Sequence, residues 1–355
     1  MNGKIRIQKV MAGEIPDRVP FDGLLPTRSD IFYVPLVPAK SWQPQDKLNL
    51  YPQVYPEIFS LGLWKWKPKT WNPPKNWHQL PRSAVDEFGV IWEYAAHDPS
   101  KGHPVGQPLA HWDELGEWKF PDPYDSSHYR FFSQIARLFP RKFKVGLLDS
   151  FLFARLQYLR GFSQSLIDMR RNKSEIKALL EKLKHYYVGT IEMFYKYGMD
   201  AIYTQDDMGA QTELFMSPKM YTENIAPVFE EIVKATHDLD MKLILHSCGH
   251  VNELLPVWHN IGVDALQFDA PHMTGIDFLK DFVGKFCFHL VPDIQKVYPF
   301  VSPDELEQEV KMMIQKLGSQ GGLVIRDYMK AVKVLLVPPA NHARLPLAVK
   351  KWGKY

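Results

Sequence analysis

Cysteine, long apolar runs and an excess of one charge are all scarce in this sequence, and each scarcity excludes a class of protein. The 355 residues include two cysteines, Cys248 and Cys287, which are too few for a disulfide framework and are typical of a reducing compartment. The 43 basic and 40 acidic residues leave a net charge of +3. No segment resembles a nucleic-acid-binding tail or stripe, so we expect no nucleic-acid partner.

The amino terminus is also uninformative as a targeting signal. Residues 1–10 alternate basic and aliphatic side chains, and no apolar stretch is long enough for a signal peptide or a membrane span. We therefore expect a cytoplasmic protein with no membrane partner. A chain of this length with 45% hydrophobic residues can form one decorated barrel.

Composition divides the chain into two parts. Residues 1–130 are rich in proline and contain eight of the ten tryptophans, a composition typical of loops, short helices and a hairpin. We expect this segment to decorate the mouth of a barrel. Residues 131–355 alternate apolar runs with amphipathic segments. The interpretation is a single domain over residues 1–355, with 1–130 as its decorated segment and 131–355 as the main βα repeats.

Short apolar runs predict the strands of a parallel sheet, because strands covered on both faces are apolar over most of their length. The predicted strands are 19–22, 143–148, 201–204, 242–245, 265–268, 286–290 and 323–325. Amphipathic helices separate them, and Ser302 begins one through a capping box with Glu305. The pattern predicts a (β/α)8 TIM barrel in the α/β class, whose active site is built at the carboxyl ends of the strands.

One strand ends in a His-x-Cys segment, His246-Ser247-Cys248-Gly249-His250. The period of two places His246 and Cys248 on the same face, where imidazole nitrogen and thiolate sulfur could bind zinc with a position left open for substrate. The alternative is a partly buried cysteine beside a structural histidine.

The segment from His246 to Gly249 resembles the His-x-Cys-Gly segment of methyltransferases in the uroporphyrinogen decarboxylase superfamily. Further segments match in the same order: Gly13 to Pro20, Asp86 to Gly89, Leu159 to Phe162, Asp206 to Gln211, and Ser217-Pro218. The resemblance covers nearly the whole chain. It departs from true decarboxylases, because the Arg-Gln-Ala-Gly-Arg segment that clamps porphyrinogen carboxylates is missing.

The resemblance implies that His246 and Cys248 bind zinc. Related zinc methyltransferases supply a further cysteine near the last barrel strand, and residues 321–327 contain none. We expect His289 to be the third ligand. Glu213, Asp293 and Cys287 are the alternatives, with Cys287 more typical of the core.

Polar residues near other strand ends are candidates for the remaining roles. Carboxylates at a barrel mouth can transfer protons, and histidine titrates near neutral pH. We expect catalytic roles for Asp206, Asp207 and His250, although Asp207 could instead cap a turn. The candidates for substrate binding are Asp22, Gln211 and Asp269.

The function implied by the resemblance is a zinc-dependent transfer of a methyl group between a small organic substrate and the cobalt of a corrinoid. Either direction is compatible with the sequence, and removal of a methyl group from a methoxylated aromatic compound suits the aromatic-rich amino-terminal segment. No Asp-x-His-x-x-Gly segment is present to anchor a corrinoid. The implied partner is therefore a separate corrinoid protein, and the resemblance is also compatible with a homodimer.

Two other functions fit the same sequence. One is a metal-independent decarboxylase acting on a smaller acid through Asp206 or Asp207. The other is a non-catalytic module that binds a corrinoid or a protein.

Overall fold

The computed structural model describes residues 1–23, 28–36, 82–94, 102–129, 132–148, 150–328 and 335–355. The chain forms two compact units. The first comprises Met1–Val34, Phe131–Ala154 and Tyr187–Tyr355, and the second comprises Pro35–Arg130 and Arg155–Tyr186. A single domain over residues 1–355 stays a prediction.

The strands form a parallel eight-stranded sheet and a small antiparallel sheet. The larger sheet has the order β1-β11-β10-β9-β8-β7-β6-β2, and the smaller has the order β3-β4-β5. The strands of the described residues are β1 (Phe21–Asp22), β2 (Ile31–Pro35), β3 (Arg82–Val85), β4 (Ile91–Tyr94), β5 (His103–Gly106), β6 (Phe143–Leu147), β7 (Ala201–Gln205), β8 (Lys242–His246), β9 (Ala265–Phe268), β10 (Cys287–Leu290) and β11 (Leu323–Arg326).

From β2 to β11, helices separate successive strands of the larger sheet, which makes it the (β/α)8 TIM barrel that the sequence predicts. The α-helices of the described residues are α1 (Gly3–Met11), α2 (Phe132–Leu138), α3 (Leu152–Arg160), α4 (Phe162–Arg171), α5 (Lys173–Lys196), α6 (Pro218–Asn224), α7 (Ala226–His237), α8 (Leu255–Asn260), α9 (Pro271–Thr274), α10 (Ile276–Lys280), α11 (Pro303–Met313) and α12 (Pro339–Trp352). None of these is long and apolar enough to cross a bilayer.

The barrel interior has an apolar layer toward the amino ends of the strands. Helix α1 contributes Ile7 and Val10 to it. The strands contribute Phe143 and a set of small and branched side chains, namely Ile31, Val145, Ala201, Ile244, Ala265, Cys287 and Val324. All are buried, so burial of apolar surface holds the strands around this layer.

A polar layer follows the apolar one. Side chains on a strand alternate with a period of two, so the residue two positions after each apolar-layer residue also points inward. Six such positions carry polar groups, and we call them the polar layer: Tyr33, Tyr203, His246, Gln267, His289 and Arg326. The barrel therefore changes from apolar to polar toward its carboxyl end, where TIM-barrel active sites lie.

Two similar segments enter strands through the same turn. Gly198 precedes β7 and Gly262 precedes β9, with φ of 78° and 90°. The aspartate two residues after each glycine accepts a backbone N–H from the preceding strand. Asp200 accepts from Lys144 and Asp264 accepts from Leu243, both at 2.9 Å. The repeated aspartates thus link neighbouring strands.

The second unit contains the expected hairpin. β3 pairs with β4 and β4 with β5, all antiparallel. Asp86 accepts the backbone N–H groups of Phe88 and Val90, both at 2.9 Å, and the indole N–H of Trp92 at 3.0 Å. The prediction of loops, short helices and a hairpin was based partly on eight tryptophans in residues 1–130. Five of them lie outside the described residues, namely Trp42, Trp64, Trp66, Trp71 and Trp77.

Most predicted strands are present with ends that differ by one or two residues, and Ala265–Phe268 has the predicted bounds. The sequence prediction missed β2. Its residues, Ile31–Pro35, lie in the proline-rich part of the chain that was assigned to loops, although their β-branched and aromatic side chains favour a strand.

The capping box at the start of α11 generates a stability prediction. Ser302 Oγ accepts from the Glu305 N–H at 3.3 Å, and the Glu305 carboxylate accepts from the Ser302 N–H at 2.8 Å. Ser302→Ala should lower the free energy of unfolding by about 1 kcal/mol, because a backbone N–H loses its acceptor. Ser302→Thr keeps an acceptor and is the matched control. Equal denaturation midpoints for the two variants would contradict the capping role.

Candidate metal centre

The end of β8 and the loops that follow β7 and β8 bring His246, Asp207 and Cys248 together. His246 Nε2 lies 3.3 Å from Cys248 Sγ and 3.4 Å from Asp207 Oδ1, and the Cys248 N–H donates to that oxygen at 2.8 Å. One ligand atom from each residue lies within 4.8 Å of the other two. Among the residues that the structure describes, this is the group of three with metal-binding chemistry.

The donor set fits a tetrahedral zinc ion. With zinc bonds of ~2.3 Å to sulfur and ~2.0–2.1 Å to nitrogen or oxygen, tetrahedral ligands stand ~3.4–3.6 Å apart. The separations of His246 Nε2 from Cys248 Sγ and Asp207 Oδ1 are 3.3 Å and 3.4 Å. Three protein ligands would leave one tetrahedral position open, the arrangement of catalytic rather than structural zinc sites.

Gln267 orients the imidazole of His246. The Gln267 carbonyl oxygen accepts from His246 Nδ1 and from the Tyr203 hydroxyl, the latter at 2.8 Å. Its amide nitrogen donates to Asp269 at 2.8 Å. Because Asp269 accepts from the Gln267 NH2 group, the Gln267 oxygen faces His246, and a proton on Nδ1 leaves the Nε2 lone pair directed at Asp207 and Cys248.

The surroundings of His246 favour positive charge at its ring. Burial alone would lower the pKa of His246. The side chains of Tyr203, Cys248 and Asp207 outweigh burial and raise that pKa well above its usual value. Asp207 Oδ1 and Cys248 Sγ both face Nε2, the ring nitrogen that a metal ion would need.

A contact between two glycines holds the two loops in register. The Gly209 N–H donates to the Cys248 carbonyl at 3.2 Å, and the His250 N–H donates to the Ala210 carbonyl at 2.8 Å. Gly249 has a φ of 92°, and a Cβ there would lie 2.0 Å from the Gly209 carbonyl oxygen. Only glycine fits at position 249, and the contact fixes the height of Asp207 beside Cys248.

Arg326, a member of the polar layer, forms a buried ion pair with Asp22. Arg326 Nε lies 3.3 Å from Asp22 Oδ2, and that oxygen also accepts from the Tyr33 hydroxyl at 2.7 Å. The guanidinium carbon lies 5.0 Å and 5.1 Å from the ring centroids of Tyr33 and Tyr203. The predicted substrate-binding residue Asp22 thus lies against an arginine that the sequence analysis did not single out.

Two members of the polar layer retain unsatisfied groups. No protein atom in the described ranges bonds Arg326 Nη1 or either ring nitrogen of His289, although all three are buried. Burial and the positive charge of Arg326 lower the pKa of His289 to about 3. An unsatisfied buried donor or acceptor costs about 1–3 kcal/mol of stability, so such groups call for an explanation.

The expected third ligand, His289, is not in the three-residue group, and Asp207 stands there instead. None of the alternatives belongs to the group either. Cys287 packs in the apolar layer. Asp293 accepts backbone N–H groups at the start of two turns, and Glu213 is exposed.

The remaining candidates lie apart from the group. Asp206 points away from the interior, and its oxygens accept the N–H groups of Phe153 and Ala154 in the first turn of α3 at 3.0 Å and 2.7 Å. Burial raises its pKa to about 7. Gln211 is exposed, and His250 Nδ1 lies 3.4 Å from the carbonyl oxygen of Met273.

Sequence reasoning missed Gln267 and Arg326. The search examined residues that follow each strand, whereas these two belong to β9 and β11. A usable signal was present, because each stands two positions after a small or branched inward residue, Ala265 and Val324 respectively.

Comparison with known proteins establishes the relationship. Residues 101–326, more than half of the chain, match the family described as Uroporphyrinogen decarboxylase (URO-D). The chain belongs to the URO-D family. The match to URO-D spans β5 to β11, and hence all three residues of the candidate metal centre. No curated protein matches the chain.

Solved structures can be compared with this URO-D family member. A methyltransferase from Methanosarcina mazei is similar with a TM-score of 0.69 and 13% identity, over 99% of each chain. An L-ribulose 3-epimerase has a TM-score of 0.42 and 11% identity, over 70% of this chain and 91% of that one. An IOLI protein with a bound zinc atom has a TM-score of 0.39 and 14% identity, over 68% and 86%. The first of these likenesses establishes a shared fold.

The glycine contact generates a matched pair of variants. Gly249→Ala and Gly284→Ala both place a side chain at positive φ, which costs about 1–2 kcal/mol. Nothing lies within 4 Å of a Cβ at Gly284, whereas one at Gly249 meets the Gly209 backbone. Gly249→Ala should therefore lower the free energy of unfolding by about 1–3 kcal/mol more than Gly284→Ala. Equal losses in chemical denaturation would contradict the close contact.

The low pKa of His289 predicts acid sensitivity. The unfolded imidazole binds a proton below a pH of about 6.5, and the folded one only near pH 3. Stability should therefore fall as pH drops from 6.5 toward 4, by up to about 1.4 kcal/mol per pH unit from this group. His289→Phe should flatten the curve of unfolding free energy against pH, and His259→Phe at an exposed position is the control. An unchanged slope in His289→Phe would contradict the burial of a neutral imidazole.

Proposed function

We propose that this URO-D family protein is a zinc-dependent methyltransferase that moves a methyl group between a small organic substrate and the cobalt of a corrinoid carried by a partner protein. Membership of the family and the fold shared with the Methanosarcina mazei methyltransferase support the reaction class. The observation that carries the proposal is the group formed by Asp207, His246 and Cys248 at the carboxyl end of the barrel.

Three ligands of mixed chemistry suit a catalytic ion. Cys248 and His246 would bind zinc through Sγ and Nε2, and the Asp207 carboxylate would take the third position in place of His289. Zinc held there would act as a Lewis acid toward the heteroatom that carries or receives the methyl group. Related zinc methyltransferases supply a cysteine in the third position, and a carboxylate oxygen is also an accepted zinc ligand.

The chain's own residues would keep this centre ordered. Gln267 holds the His246 ring through Nδ1, and the paired glycine loops hold Asp207 against the Cys248 backbone. Hydrogen-bonded partners of this kind raise the basicity of a ligating imidazole and fix its orientation. Asp269 in turn fixes the orientation of Gln267, which gives this predicted substrate-binding residue a positioning role.

The proposed substrate is a methoxylated aromatic compound, from which the enzyme removes the methyl group. The Tyr33 and Tyr203 rings lie edge to face in the polar layer, 5.7 Å apart, and such rings can pack against a flat substrate. Asp207 and Cys248 are exposed, so a partner that carries a corrinoid could approach the centre. A cytoplasmic location and a homodimer complete the proposal.

Zinc content is the first test. Protein purified without chelator and supplied with zinc should contain about one zinc per chain by elemental mass spectrometry. His246→Ala and Cys248→Ala should abolish it, because each removes a ligand, and Gln267→Leu should weaken zinc affinity by about 10–100-fold. His259→Ala, which changes an exposed histidine, is the matched control. A wild-type protein without zinc under these conditions would contradict the proposed centre.

The same variants separate the proposed reaction from its rivals. Wild-type protein, cob(I)alamin and a panel of methoxylated aromatic compounds should yield methylcobalamin and the free phenols. The zinc-deficient variants should not. A decarboxylation that survives complete zinc removal would instead favour the metal-independent lyase, and zinc binding without any turnover would favour the non-catalytic module.

A further inference from the structure

Arg326 and His289 point into the barrel from adjacent strands. β10 and β11 pair in parallel with His289 opposite Val324, so Arg326 stands one pleat nearer the carboxyl end on the same inward face. Both residues are buried, Arg326 at 7% exposure and His289 at 0%. The two side chains thus line one side of the interior at successive heights.

The bonds of Arg326 use only part of its guanidinium. Asp22 Oδ2 lies 3.3 Å from Nε, and the rings of Tyr33 and Tyr203 pack beside the guanidinium. Nη1 has no acceptor within the described part of the chain. An arginine that only neutralised Asp22 could face the carboxylate with two N–H donors in parallel. Here Nε faces the carboxylate of Asp22, and Nη1 has no acceptor among the described residues.

His289 supplies a second unused donor. Neither of its ring nitrogens is bonded to any described protein group, and the pKa lowered to about 3 keeps the ring neutral. A neutral imidazole has one N–H donor and one acceptor nitrogen. A charged His289 would add repulsion beside Arg326, and the neutral form adds a directional hydrogen bond without it.

Tyr203 connects this pair to the metal centre. Its ring centroid lies 5.1 Å from the Arg326 guanidinium carbon and 6.3 Å from the His246 ring centroid. Its hydroxyl donates to Gln267, which orients His246. A small ligand in the interior could therefore contact Arg326 at one end while its other end faces Asp207 and Cys248.

We propose that Arg326 Nη1 and the N–H of His289 bind the carboxylate of a small organic acid, so that the substrate of this enzyme is a carboxylic acid carrying the methylated heteroatom. A carboxylate presents acceptor oxygens to both donors, and arginine is the side chain best suited to it. The assignment to the substrate rests on the proposed function. The carboxylate site itself does not, because its residues are not metal ligands in that proposal.

The charges around the site favour a monoanion over a dianion. The carboxylates that face Arg326 are Asp22, which pairs with it, and Asp269, which bonds Gln267. Asp22 and Asp269 already oppose the charge of Arg326, so each further negative charge on a ligand adds repulsion, and a doubly charged phosphate ester is disfavoured relative to a carboxylate. A single carboxylate would exchange its hydrogen bonds to water for one from the charged Arg326 and one from the neutral His289.

The test compares acids with their neutral amides. Isothermal titration should show benzoate or acetate binding the full-length protein at least about tenfold more tightly than benzamide or acetamide. Arg326→Met should weaken carboxylate binding by about tenfold or more, since a charged hydrogen bond is lost. His289→Phe should weaken it by about threefold. Arg171→Met, the same change at an exposed arginine, should leave binding unchanged.

Two further variants keep the result interpretable. Cys248→Ala should retain carboxylate binding, and loss of binding there would show that the acid was bound to the metal, which would overturn the proposal. Arg326→Lys keeps the charge beside Asp22 but loses the planar fork, so it should fold and still bind carboxylate more weakly than wild type. Amides that bind as tightly as acids would also overturn it. If the protein binds carboxylates but contains no zinc and transfers no methyl group, the carboxylate site is supported and only the proposed function is refuted.

Discussion

The alternation of side chains along the barrel strands is the constraint on which the site depends. Ala265, Cys287 and Val324 are packed in the apolar layer, and their burial fixes which face of each strand is inward. A slip of one residue in any of these strands would turn its polar-layer side chain out of the barrel. Burial of apolar side chains near the amino ends of the strands therefore fixes the inward orientation of Gln267, His289 and Arg326 nearer the carboxyl ends.

The fold could be predicted from the sequence because its signals are local. Apolar runs, glycine turns and the Ser302 capping box each lie within a few residues, and so does the spacing that places His246 beside Cys248. The third member of the group, Asp207, depends on the pairing of β7 with β8 and on contact between the loops that follow them. Spacing along the chain does not contain that information.

Carboxylates near the strand ends divide into two kinds that residue type cannot distinguish. Asp206 and Asp293 accept backbone N–H groups and stabilise turns and helix starts. Asp207 and Asp269 instead contact the groups that form and support the candidate centre. Asp206 and Asp207 are adjacent in sequence, so the direction in which the chain leaves β7 decides which of them reaches His246.

The contact between Gly209 and Gly249 also affects how the centre could change with time. The backbones of the two loops touch there and are joined by hydrogen bonds from Gly209 to Cys248 and from His250 to Ala210, so neither loop can move far without the other. The contact therefore limits how far Asp207, on one loop, can move from Cys248, on the other. A metal ion held at the proposed centre should accordingly keep two of its ligands, Asp207 and Cys248, at a nearly constant separation as the loops fluctuate.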